Sequence, residues 1–209
     1  MNRLATITAA ALALPAALSA TPAPRDLGMG LTYYRIHSIP ADQPVPPLGR
    51  PGACILDLRY ARSDEAGAAT LKQWIGFNAS SRAPIFVIEN GQTDPALLAA
   101  LSGGRPAGVL VLSPASSRLP ADVQVRVSPQ EDRRAYEALE KGADIRALIT
   151  DYPGKPRIDE AYLEKEHIAD TDAPDSPEGK PPAPPLIDLL LQRAYQMDRG
   201  LVALKRIRQ

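Results

Sequence analysis

Three short apolar runs, at residues 54–58, 85–88 and 109–112, constrain this chain more than any other feature in it. They are nearly uninterrupted rather than alternating, which is the pattern of strands covered on both faces. Helical patterns of crossover length separate them, so residues 53–112 read as strand, helix, strand, helix, strand. The pattern predicts a layered, mainly parallel α/β sheet. The helices carry their own punctuation. Asp64 stands where it can cap the first, in which Leu71, Trp74 and Ile75 share one side at helical spacing. Asp94 followed by Pro95 predicts a second start, an acidic cap ahead of a residue that has no amide to leave unpaired. Ser102 and Gly103 mark its end.

Proline distribution places the remaining elements. The chain has 22 prolines in 209 residues, roughly twice the usual share of about 5%. None falls in 52–83, 130–152 or 186–209, so long regular elements fit there. Residues 31–39 alternate as a strand, with Tyr34, Ile36 and Ser38 on one face and Tyr33, Arg35 and His37 on the other. His37 reads as solvent-facing. Residues 123–127 alternate strictly, as a half-exposed strand does. Ser128, Pro129 and Glu131 combine a cap, a first-turn proline and a capping-box carboxylate, opening a helix that runs to Gly142. Residues 145–149 form a short element, and 157–167 a charged helix that carries a solvated His167. Residues 169–185 are an acidic, proline-rich linker. In the last helix Ile187, Leu190, Ala194, Met197, Leu201 and Leu204 step by three and four and make an apolar seam. The linker lets that seam either dock on the parent sheet or meet a partner helix, a second copy included. The expected organisation is a signal at 1–20, a tether at 21–28, one α/β domain at 29–168, the linker, and a detached helix at 186–209.

The address is written at the start. Arg3, an apolar stretch at 4–18 interrupted by Pro15, and small residues at 17–20 read as a cleavable secretory signal. The stretch is short for a membrane span, which takes about 20 residues. The expectation is an exported, periplasmic or extracellular protein with no span after cleavage. Cys54 is the single cysteine, so no internal disulfide can form, and its place in an apolar run makes it a small buried hydrophobe. Basic and acidic side chains number 24 each, so no overall field draws the chain to nucleic acid or to an anionic membrane. No cysteine, second histidine or spaced carboxylate pair stands near His37 to make a metal site, and no cofactor is called for.

Two junctions carry what chemistry the sequence offers, Asp57-Leu58-Arg59 at the end of the first run and Glu89 to Pro95 after the second. In this order and separation they resemble the catalytic core of the tail-specific, or C-terminal processing, serine peptidases, within the wider Clp protease and crotonase fold. The resemblance spans about 53–118. It implies crotonase-like βαβ units, with Asp57, Leu58 and Arg59 matching the family's D-L-R, and Asn90 and Thr93 matching part of N-x-x-T-x-S. The family's serine nucleophile falls on Pro95, and Leu98 stands in place of its glutamate. Ser63 and Asp64 occupy a turn that in the family is rich in glycine. The third loop, 113–118, has no lysine to act as base, and Arg118, its one cation, stays protonated. Covalent acyl transfer needs both an activated nucleophile and a base. The implied protein is a reduced, catalytically silent relative that holds a protein or peptide partner.

Two readings compete with it. A serine hydrolase could act through a displaced hydroxyl at Ser113, Ser116 or Ser117, with Asp57 or a histidine assisting. A small ligand-binding α/β domain without peptidase ancestry could use Asp57 and Arg59, which lie two apart on one strand face, unless they form a structural ion pair.

Overall fold

The computed structural model describes residues 23–44, 52–117, 120–149 and 185–207. The expected signal, the helix at 157–167, almost all of the linker, and Arg118 lie outside the described residues. Six strands form the main sheet: β1 (Arg25–Gly28), β2 (Leu31–Arg35), β4 (Cys54–Asp57), β6 (Ile85–Ile88), β7 (Val109–Pro114) and β8 (Val123–Val125). They stand in the order β1-β2-β4-β6-β7-β8. Every neighbouring pair is parallel except β1 and β2, so the mainly parallel α/β architecture expected from the apolar runs is present. Two more strands, β3 (Ser38–Ile39) and β5 (Arg62–Ser63), pair with each other in a small separate sheet.

From β2 onward the strand order follows chain order, and successive crossovers of one hand then lay their helices on one face. Helices α1 (Glu65–Asn78) and α2 (Pro95–Ser102) share a face with Tyr34, Leu56, Val87 and Val111 of the strands. The opposite face, carrying Leu31, Tyr33, Ile55, Phe86, Ile88 and Leu112, is covered by α3 (Pro129–Glu140), a 3₁₀ turn (Ile145–Leu148) and α4 (Leu189–Ala203). The helix expected to be detached is therefore part of the domain. Docking buries Leu190, Leu191 and Ala194, and each leucine contributes about 1.5–3 kcal/mol. The inward face also differs from the expected seam: Leu191 and Asp198 are buried, whereas Leu204 is 71% exposed.

The helix starts follow the sequence closely. Asp64 accepts from Gly67 N (2.7 Å) and Asp94 from Ala96 N (3.0 Å), with Pro95 at the first turn of α2. Ser128 and Glu131 form the reciprocal capping box at the start of α3. That helix ends at Glu140, two residues short of Gly142, which adopts φ 86°.

Three expectations need correction. Residues 25–28, expected within a mobile tether, form edge strand β1, because Gly28, Met29 and Gly30 all adopt positive φ and reverse the chain onto β2. The single strand expected at 31–39 is broken at Ile36 and His37, and its last two residues leave the main sheet to pair with β5. The face alternation of 31–36 nevertheless holds, with Tyr34 and Ile36 in one core and Tyr33 in the other. Ser113 and Pro114 extend β7 rather than opening a loop, since they pair with Gln124 and Val125.

Candidate functional site

Asp57 and Arg59 do lie together, and they form an ion pair that is wholly buried. Arg59 donates through Nε and Nη2 to the two Asp57 oxygens (2.9 and 2.7 Å). It donates through Nη1 and Nη2 to the two Asp188 oxygens (3.2 and 2.7 Å), and through Nη1 to Asp132 (2.9 Å). All five guanidinium N–H groups are thus used, in the bidentate geometry that makes such bonds strong. Burial alone would raise the Asp57 carboxyl, but the charge and hydrogen bonds of Arg59, with a bond from Tyr33 Oη (2.7 Å), hold it below its ordinary value. Burial alone would lower Arg59, and the three carboxylates instead hold it well above its usual value. Asp132 belongs to α3, and Asp188 caps α4 by accepting from Leu191 N (3.0 Å). One guanidinium therefore ties the end of β4 to both helices that cover this face.

Asn90 extends the network. Its Nδ2 donates to Asp132 (2.9 Å), and its Oδ1 accepts from Gln92 N (3.0 Å). Thr93 Oγ1 accepts from Asn90 N and donates to Leu58 O, both at 3.0 Å, which pins the turn after β6 against the end of β4. The positions matched in the sequence thus meet in space, through hydrogen bonds internal to the domain. Pro95 is exposed at the start of α2.

The turns after β6 and β7 face one cavity. Asn90, Gly91, Gln92, Pro114, Ser116 and Ser117, with Tyr60, Pro129 and Asp132, enclose about 160 Å³. It adjoins a broader depression of about 470 Å³ that shares Tyr60, Gln92 and Pro129 and adds Arg133, Tyr136 and Glu137. Both lie where ligands of open parallel sheets usually sit, at the carboxyl ends of the strands. Tyr60 stands at φ 62°, a left-handed conformation uncommon for an aromatic residue, and its ring lies 4.6 Å from that of Tyr136 at a 49° tilt.

The three candidate hydroxyls have different settings. Ser113 is fully buried, and its Oγ has no hydrogen-bond partner among the described residues. Ser116 is exposed, and Ser117 donates to Pro114 O (2.7 Å) within its own turn. His37, 42% exposed, pairs with Glu140 (2.7 Å) and lies 3.7 Å from Asp42, so its partners are carboxylates. Cys54 is buried, and desolvation pushes its thiol up to about 12.

Sequence reasoning missed three participants. Asp132 and Asp188 look like ordinary first-turn and cap residues, and nothing local shows that they share one arginine. Glu89 is 2% exposed beside an apolar run. Its signal was present: a carboxylate that continues a strand with both faces covered has nowhere exposed to go. Among the described residues no group of three or more His, Cys, Asp or Glu is placed to hold a metal, and no helix is long and apolar enough to cross a membrane.

The fold and site define a mainly parallel α/β domain, built on one six-stranded sheet with a small two-stranded sheet beside it, with a strand-end cleft and a buried arginine hub. Comparison with protein-family models, curated proteins and solved structures finds no match that would narrow that class.

Proposed function

We propose that this chain is an exported, catalytically silent relative of the tail-specific serine peptidases that binds a protein or peptide partner in the cleft beside Tyr60. The observation that carries the reading is the convergence of Asn90, Gly91, Gln92, Pro114, Ser116 and Ser117 on one cavity in which the side chains of Asn90, Asp132 and Ser117 are engaged within the domain. Asn90 is held by Asp132, Ser117 by Pro114, and the expected nucleophile position is a proline. The strand order, and the short side sheet of β3 and β5, support a crotonase-like arrangement of the units. The outer cleft supports a peptide ligand: Tyr60 and Pro129 offer ring surface over the buried Tyr136, while Arg133 and Glu137 supply a charged rim. Export rests on residues 1–20.

The test has two arms on the purified chain. A fluorophosphonate probe leaves it unlabelled, and a displayed library of random dodecapeptides yields binders that Gln92→Trp weakens at least about tenfold, or 1.4 kcal/mol. Labelling abolished by Ser→Ala at 113, 116 or 117 would establish the displaced-serine hydrolase instead. Binders indifferent to Gln92→Trp would remove the cleft from the argument.

A further inference from the structure

Glu89 and Asn90 follow one another at the end of β6 and point to opposite sides of the sheet. Asn90 joins the arginine hub, whereas Glu89 faces α2. There it lines a separate cavity of about 160 Å³ with Leu98, Ala99, Leu101, Ser102 and Pro120. It is the one ionisable side chain among those residues. Glu89 is 2% exposed, and its carboxylate receives no hydrogen bond from a described residue. Next to it, Ile88 pairs in parallel with Leu112, so the following residue on each strand, Glu89 and Ser113, projects to the same face. Ser113 Oγ, buried without a partner among the described residues, therefore stands on the same side of the sheet as the Glu89 carboxylate.

A buried carboxylate is costly unless a cation and hydrogen bonds compensate it. Among the described residues the cation that acts on it is Arg105, but Arg105 is engaged by Asp122 at 3.1 Å at the surface. Besides Ser102 the walls are leucine, alanine and proline, which suit an alkyl chain, and cavities of about 150 Å³ accept molecules the size of benzene. We propose that this cavity is a binding site for a primary alkylammonium group of about four carbons, with the charged head on Glu89 and the chain against Leu98 and Leu101. The group is either a free small amine or a lysine side chain on a peptide. The site lies across the sheet from the cleft and does not depend on the peptide-binding reading.

Occupancy follows the charge of Glu89. Burial, and to a smaller extent the charge of Asp122, push its carboxyl up to about 7 against the pull of Arg105. Among the described residues these are the charged groups acting on it, and the α2 residues that line the cavity are neutral. An alkylammonium stays charged throughout this range, so it binds the ionised carboxylate above pH 7 and is released as Glu89 protonates below it.

The experiment titrates the full chain with n-butylammonium chloride by calorimetry, with n-butanol as the uncharged control and an acetylated Gly-Lys-Gly amide as the peptide arm. Saturable butylammonium binding is expected, about tenfold tighter at pH 8 than at pH 6, with no matching butanol signal. Glu89→Gln abolishes it, and Leu98→Trp, which fills the cavity but keeps the charge, does so as well. Binding of the amine alone assigns a free amine, and binding of both assigns a lysine side chain. Absence of saturable binding by either probe, or equal binding by wild type and Glu89→Gln, overturns the proposal.

Discussion

Replacing Arg59 with methionine keeps an unbranched, shorter stem and removes all five donors from three buried carboxylates. Breaking a buried ion pair by deleting one partner costs about 3–5 kcal/mol, and here one deletion strands Asp57, Asp132 and Asp188 together. The stranded groups have one escape. At pH 7 protonating a carboxyl whose ordinary value is about 3.9 costs about 4 kcal/mol, and at pH 5 only about 1.5 kcal/mol. A domain is stable by about 5–15 kcal/mol in total. Arg59→Met should therefore lose at least about 4 kcal/mol at pH 7, and α4, anchored at Asp188, should loosen with it. The pH dependence separates this cause from a simple packing defect. In the wild type the folded-state value of Asp57 is depressed, so its contribution is complete above the unfolded value and is lost only as pH falls through the lower folded value. In the variant burial acts on Asp57 without the opposing arginine and raises it instead, so the deficit relative to wild type should shrink by about 1–3 kcal/mol between pH 7 and pH 5. Urea unfolding followed by circular dichroism and by the fluorescence of Trp74, the single tryptophan and 9% exposed, measures both quantities. Arg59→Lys, which keeps the charge but not the two-pronged geometry, should fall between the two. A loss under about 1 kcal/mol, or a deficit that grows on acidification, would refute the hub argument.

Asp198 offers the opposite perturbation. It is 1% exposed on α4, neither oxygen has a partner among the described residues, and burial pushes its carboxyl up to about 6 against the pull of Arg199. A raised carboxyl costs stability above its folded value and nothing below its unfolded one, so Asp198→Leu should gain about 2–3 kcal/mol at pH 8. The gain should narrow toward pH 4, and a gain that ignores pH in urea titrations would show that charge is not the cause. At the capping box, Ser128→Ala should cost about 1 kcal/mol without altering the fold. Thermal unfolding with an unchanged midpoint would show that the cap contributes nothing.

The apolar runs and caps settled local structure because those signals are short-range. A carboxylate or hydroxyl just ahead of a helix accepts its own orphan amides, so Asp64, Asp94 and Ser128 act where the sequence places them. The doubly covered strands also favour docking of the last helix over a detached one. With α1 and α2 on one face, residues such as Ile55, Phe86 and Leu112 needed a second layer, and the last helix was available to supply it. Its apolar spacing alone could not fix the inward face, because stepping by three or by four from Leu190 reaches Arg193 or Ala194, and only the sheet selects Leu191 and Asp198 over Leu204.

What the chain alone determined, then, is where strands and helices begin, since caps and turns act within a few residues, and that the sheet is mainly parallel, since doubly covered apolar runs alternate with helices of crossover length. Only the tertiary structure decided which charges share Arg59, whose partners lie 2, 73 and 129 positions away. It also decided that Glu89 lines a cavity on the α2 side of the sheet while Asn90 turns to the other side. Such pairings are set by long-range packing, and an aspartate that caps a helix looks the same in sequence whether or not an arginine from another element reaches it.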